Sequence, residues 1–257
     1  MSYLSIDNHI TIRYESIDGS QDKSCLVFLH EGLGCIEMWK EFPRQLCELT
    51  GCAGLLYDRS GYGKSSPLTR SRDINYVHDY ALIELPRVIE ALIPQRDYLL
   101  IGHSDGASIA LIHGAQPSPR LRGLVVEAPH VFVEDETLRG ISLAKERHNR
   151  YGLGGLLKYH GDNAHAVFNA WSETWLAPWF REWNIEAILP DIGCPVLAIQ
   201  GENDAYGTVR QLDVISRLTE TGASHILKDC GHSPHREQAA ETLRLISEFI
   251  RTLHPSH

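Results

Sequence analysis

The chain has 257 residues and a formal net charge of −9 at pH 7; that length suits one α/β domain with an insertion, and the acidic balance argues against a nucleic-acid or anionic-membrane partner. Met1 to Ser20 lacks the basic start and apolar stretch of a signal peptide, and nowhere do 18 apolar residues run together, so a soluble, cytoplasmic protein is expected. Six scattered cysteines without a CxxC pair suit reduced thiols better than a disulfide framework or a zinc site.

Taken in order, Tyr3 to Ile17 alternates around Asp7-Asn8-His9 and reads as an antiparallel hairpin. Cys25 to Leu29 is a continuous apolar strand that ends in His30-Glu31-Gly32-Leu33-Gly34. A helix is expected over Glu37 to Leu49 and a strand over Gly54 to Tyr57, followed by the glycine- and serine-rich loop Asp58 to Ser66. A long helix should cover Ile74 to Leu92, with Pro86 kinking or dividing it. Tyr98 to Ile101 and Leu121 to Glu127 are apolar strands, and a helix with small early residues lies between them. Val196 to Gln200 and His225 to Lys228 complete the strands, and Pro234 opens a terminal helix to Leu253. This alternation implies an α/β fold, a mostly parallel central sheet with helices on both faces, whose ligand lies outside the carboxyl ends of the strands.

Between Pro129 and Pro190 the strand pattern stops. The segment is helical and carries Trp171, Trp175, Trp179 and Trp183 at four-residue spacing, with Pro178 placed to break the helix. It reads as a helical lid over residues 130–190, inserted into a core formed by 1–129 and 191–257. The tryptophan stripe either packs the lid on the core or lines an apolar substrate pocket; Trp171, Trp175 and Trp179 are the candidates for substrate contact.

The most informative stretch is Gly102-His103-Ser104-Asp105-Gly106, set between a strand and a helix. A turn that sharp strains its central residue and leaves no room for side chains two positions away, which suits Gly102 and Gly106. Ser104 is then presented at the strand's carboxyl end beside a helix N-terminus. A serine needs a base oriented by an acid. His232 follows the last strand; His235 reads as a first-turn surface residue. Asp204 follows the preceding strand, with Glu202 and Glu127 as competing acids. The chain order Ser104, Asp204, His232 is the one expected for this architecture.

Together, His30 to Gly34 with Trp39, Asp58 to Ser65, Gly102 to Gly106, Gln200 to Asp204 and Gly231-His232 give the chain a pattern that resembles the α/β-hydrolase superfamily over almost its whole length. The resemblance implies that Ser104 is the nucleophile, His232 the general base and Asp204 its orienting carboxylate. It also implies an oxyanion hole formed by the N–H groups of Gly32 and Asp105, and a reaction on a small-molecule substrate without metal or organic cofactor. Hydrolysis of a small carboxylic ester through an acyl-enzyme is the leading expectation. Carbon-carbon bond hydrolysis of an aromatic-degradation product, thioester or lactone hydrolysis, and a hydrolase-fold ligand receptor are the alternatives. Ser104 disfavours the dehalogenase and epoxide-hydrolase members, which use an aspartate there. One departure is Glu31, which stands where a glycine is usual; its carboxylate is expected to point away or to pair, with Arg59 as the available partner.

Overall fold

Cys25, Val27 and Leu29 face one apolar layer and Leu26 and Phe28 the other, so the strand that contains them is buried on both sides, and alternate residues serve different cores. The same division recurs in Tyr98 and Leu100 against Leu99 and Ile101, and in Val196 and Ala198 against Leu197 and Ile199. Each such aliphatic side chain contributes roughly 1.5–3 kcal/mol when fully buried. The computed structural model describes residues 1–6, 9–69 and 71–253.

The sheet has eight strands: β1 (Ser2–Ser5), β2 (Thr11–Ile17), β3 (Ser20–Leu29), β4 (Cys52–Tyr57), β5 (Tyr98–His103), β6 (Leu121–Glu127), β7 (Val196–Gly201) and β8 (Gly222–Leu227). Their spatial order is β1-β2-β4-β3-β5-β6-β7-β8. The β1–β2 and β2–β4 pairs are antiparallel and all others parallel. The expected hairpin is therefore present, although Asp7 and Asn8 of its turn lie outside the described residues.

Helices α1 (Phe42–Thr50) and α10 (Ala239–Leu253) cover one face. Helices α2 (Tyr76–Asp79), α3 (Leu85–Leu92), α4 (Asp105–Gly114) and α8 (Arg210–Leu218) cover the other. The helix expected over Glu37 to Leu49 is two pieces: a 3-10 turn at Ile36–Trp39, then α1. Lys40, at φ 56°, interrupts the path, and Pro43, lacking an N–H, suits the first turn of the new helix. The long helix ahead of β5 is divided by a π-helical stretch, Tyr80–Glu84, just before Pro86. Pro86 cannot donate to the carbonyl four residues back, and a widened turn accommodates that loss. The terminal helix is also interrupted. A short α9 (Pro234–Glu237) ends at Gln238, whose side-chain amide donates to the carbonyls of Lys228 and Asp229.

From residue 130 to 190 the chain is helical, with α5 (Asp135–Tyr151), α6 (Leu156–His160) and α7 (Ala164–Leu176) as its main pieces. The two ends of the segment meet where Ile185 N–H donates to the Val131 carbonyl at 2.8 Å. Two side chains tie it to the loop after β4: the His160 ring accepts from Gly63 N–H at 2.9 Å, and Asn163 donates to the Gly61 carbonyl at 2.7 Å.

Candidate active site

The turn after β5 holds Ser104 at φ 53°, ψ −116°, a region that side-chain-bearing residues seldom enter. Its neighbours explain how it stays there. A Cβ on Gly102 would lie 2.3 Å from the Gly106 carbonyl oxygen, and a Cβ on Gly106 would lie 2.0 Å from that of Leu29. Glycine at both positions lets β5, α4 and the end of β3 close together. Ser104 N–H donates to the Glu127 carbonyl at 2.9 Å, fixing the turn to β6.

The loops after β7 and β8 are joined in the same way. Asn203 N–H donates to the Cys230 carbonyl and Glu202 N–H to that of Leu227, at 2.8 and 2.9 Å. Gly201 lies so close that a Cβ there would meet the Gly231 oxygen at 2.1 Å. Asp204 and His232 are thereby brought together from two strands. His232 Nδ1 donates to Asp204, 2.8 Å from Oδ1 and 2.9 Å from Oδ2, and Ser104 Oγ donates to His232 Nε2 at 3.0 Å. Tyr206 N–H and the Gln200 amide hold the same carboxylate, at 2.9 and 3.3 Å.

Burial alone would weaken both charges. The His232 proton affinity is nonetheless raised above the ordinary value, because the adjacent Asp204 charge and hydrogen bond, and Glu31 by charge, outweigh desolvation. Asp204 is lowered despite desolvation, since His232 and the Tyr206 N–H favour its anion. A hydroxyl, an imidazole and a carboxylate in this row can pass a proton from serine to histidine while the acid fixes the ring's tautomer.

The two competing acids are placed elsewhere. Glu202 is exposed. Glu127 is fully buried and accepts from the N–H and Nδ1 of His235, at 3.0 and 2.8 Å. His235 is accordingly no surface residue: it is buried, with its ring 4.6 Å from that of Trp39. His103 is another residue the sequence reading missed. Its Nε2 donates to the His232 carbonyl at 2.7 Å, and burial, with His235 and His232 nearby, keeps it neutral. Its signal was available, since the second position of the elbow is the last residue of a buried strand.

Ser104 opens into a cavity of about 200 Å³. Of the three tryptophans proposed to contact substrate, Trp171 and Trp175 line it and Trp179 does not. Pro178 ends α7 after Leu176, and Trp179 turns outward to 46% exposure. Asp105 N–H, as the first of α4, has no partner within the helix. Gly32 packs against the Trp171 indole, so close that a Cβ would sit 2.6 Å from Cδ1. The Glu31 carboxylate does not pair with Arg59. It accepts from Leu33 N–H at 2.9 Å, whereas Arg59 donates to the Glu31 backbone carbonyl at 2.8 Å, and Glu31 is among the residues that line the cavity.

One group among the described residues has metal-ligand proximity, Cys35, Glu37 and Asp58, with donor atoms within 4.8 Å of one another. Arg13 already bridges the two carboxylates at 2.8 and 3.2 Å and Lys64 binds Glu37 at 2.9 Å, so cations of the protein itself neutralise that group. Among the described residues no helix is long and apolar enough to cross a membrane.

A mostly parallel sheet of this strand order, with a strained serine at the end of β5 and a histidine after the last strand, defines an α/β-hydrolase architecture. The chain belongs to the Alpha/beta hydrolase family, whose sequence model matches residues 26–245. It is 24% identical to the 2-succinyl-6-hydroxy-2,4-cyclohexadiene-1-carboxylate synthase of Salmonella paratyphi C, over 92% of this chain and 98% of that protein. The serine hydrolase BPHL of Mus musculus is 25% identical over 76% of this chain and 68% of its own. Among solved structures, an esterase from Thermogutta terrifontis superposes with a TM-score of 0.73 at 20% identity, covering 95% of this chain and 94% of that one. A carboxylesterase structure from Nitrososphaera gargenis gives 0.76 at 19% identity, covering 98% and 99%. At these identities the structural likeness speaks for the fold.

Proposed function

We propose that the chain is a serine hydrolase acting on small carboxylic esters through an acyl-enzyme. The observation that carries this reading is the row Ser104–His232–Asp204, at 3.0 and 2.8 Å, on the wall of a cavity. Ser104 Oγ attacks the ester carbonyl as His232 Nε2 takes its proton. The N–H groups of Gly32 and Asp105 receive the oxyanion, in a place where preorganised donors are worth several kcal/mol. The ester C–O bond then breaks, and His232 returns the proton to the departing alcohol. Water attacks the acyl-enzyme, gives its proton to His232, and the acid leaves as Ser104 recovers its hydrogen. The helices between β6 and β7 serve as a lid that limits water and shapes the acyl or leaving-group side.

Carbon-carbon bond hydrolysis is the second reading, and the relative from Salmonella, a synthase by its printed name, shows that this fold is not confined to esterases. That name describes a carboxylate product, whereas among the described residues no lysine or arginine lines the cavity here, which favours the ester. The test is Ser104→Ala together with a serine-directed phosphonate. The substitution should remove ester turnover and leave the melting temperature nearly unchanged, and the phosphonate should add at Ser104. More than a few per cent of wild-type rate in Ser104→Ala, or a label on another residue, overturns the reading.

A further inference from the structure

From the polar groups left unpaired around the cavity, we infer that the natural ester carries a protonated amine, recognised by the Glu31 carboxylate and by Nδ1 of His130. The inference rests on the ester-hydrolase reading and adds to it the chemical class of the substrate.

Two independent observations carry it. The first is charge. The cavity is lined by Glu31 and Asp105 and, among the described residues, by no lysine or arginine. The two carboxylates differ in their surroundings. Asp105 is buried, accepts from the Tyr76 hydroxyl at 3.1 Å, and has Arg59 and Arg72 near enough to feel its charge. Among the described residues the Glu31 carboxylate has one hydrogen-bond partner, the Leu33 N–H, and no ion pair. It is the acid of the cavity whose charge is left for a ligand.

The second observation is an unused acceptor. His130 follows β6, is 4% exposed, and lines the same cavity. Its Nε2 donates to the Tyr206 carbonyl at 3.1 Å, which leaves Nδ1 as a lone pair, and that atom is buried without a partner. Burial, reinforced by the nearby His232, keeps the ring neutral. A buried acceptor without a donor costs free energy that a ligand's N–H recovers. The rings of Trp171 and Tyr206, 6.2 Å apart on the cavity wall, add faces that attract a cation.

The amine would also serve the reaction. A carboxylate two residues from the end of β3 opposes charge building on the oxyanion, and an ammonium held against Glu31 offsets that field. A substrate carboxylate at the same place would meet like charge.

The test uses the full chain and two matched ester pairs. 2-(Dimethylamino)ethyl acetate and its carbon isostere 3-methylbutyl acetate place the amine on the alcohol side; alanine methyl ester and methyl isobutyrate place it on the acyl side. In at least one pair the amine should raise kcat/KM about tenfold or more, and Glu31→Gln, checked for folding by circular dichroism, should bring that ratio down at least fivefold. Comparing ratios between the two enzymes cancels the intrinsic reactivity of each ester. His130→Phe, which keeps the ring and removes the acceptor, should lower the same ratio. An amine preference absent from both pairs, or one that survives Glu31→Gln, overturns the inference. Failure of all four esters to show any Ser104-dependent hydrolysis instead overturns the ester-hydrolase reading beneath it.

Discussion

His232 is subject to opposing influences whose balance sets the pH at which Ser104 can give up its proton. Desolvation lowers its proton affinity, while Asp204 and Glu31 raise it further than burial depresses it. The base must be neutral to act, so kcat/KM should rise with pH through a midpoint above the ordinary histidine value of about 6.5. Replacing Asp204 with Asn removes both the charge and the acceptor that fixes the tautomer. The expected loss in kcat is on the order of 10³–10⁴, and the midpoint of the residual activity should move down, since burial then acts with less opposition. Rate profiles between pH 5 and 9 for both enzymes check this; a small loss with an unmoved midpoint would remove Asp204 from the role. Ser104 and Asp204 were legible in the sequence because each closely follows an apolar run that reads as a buried strand, and His232 because it falls between the last strand, itself mostly exposed, and the helix that Pro234 opens. His235 was not. Its sequence position says first helical turn, and only the folded chain brings Trp39 and Glu127 onto it.

The elbow is an element whose glycines can be ranked by what surrounds them. An alanine at Gly106 would press its methyl against the Leu29 carbonyl at 2.0 Å, where backbone cannot yield cheaply, while Gly193 has nothing within 4 Å. Gly106→Ala should therefore destabilise the fold by about 3 kcal/mol or more, and Gly193→Ala by well under 1 kcal/mol. Thermal unfolding of the pair measures it; similar melting temperatures would mean that the close approach of β3 and α4 is not required. The inner strands β5, β6 and β7 were read well from sequence for the same reason that these contacts are tight, since a strand buried on both faces has few polar positions to blur its limits; β3 begins at Ser20 rather than Cys25, and β8 spans Gly222–Leu227 rather than His225 to Lys228, because their exposed residues carry no such signal. Helix limits were read less well. The breaks at Lys40 and Gln238 arise from backbone angles and from a side-chain amide reaching another loop, and neither leaves a periodic trace.

At the scale of the molecule, the sheet supplies the reacting groups from one edge of its strands, and the helical segment between β6 and β7 supplies the opposite wall of the cavity. The four-residue spacing of the tryptophans suggested one continuous stripe, but a stripe survives only while its helix does. Past Pro178 the chain turns, leaving Trp171 and Trp175 on the cavity and Trp179 in solvent, while Trp183 folds back to stack on Phe180 with ring centres 5.5 Å apart. The tryptophans should therefore separate by function. Trp175→Ala removes a ring packed against His130, Phe180 and Trp183 and should cost roughly 3–5 kcal/mol of stability. Trp171→Ala opens the wall beside Gly32, and should raise KM for aromatic and medium-chain esters more than for acetates, with a smaller fall in melting temperature. Trp179→Ala should leave the ester preference unchanged and lower the melting temperature less than Trp175→Ala, because its ring, 46% exposed and set edge-on against Phe180, lies outside the cavity. If Trp171→Ala leaves the relative preference among esters unchanged, the helical segment acts as cover alone, and acyl selection resides in the groups that Glu31 and His130 present from the strand side.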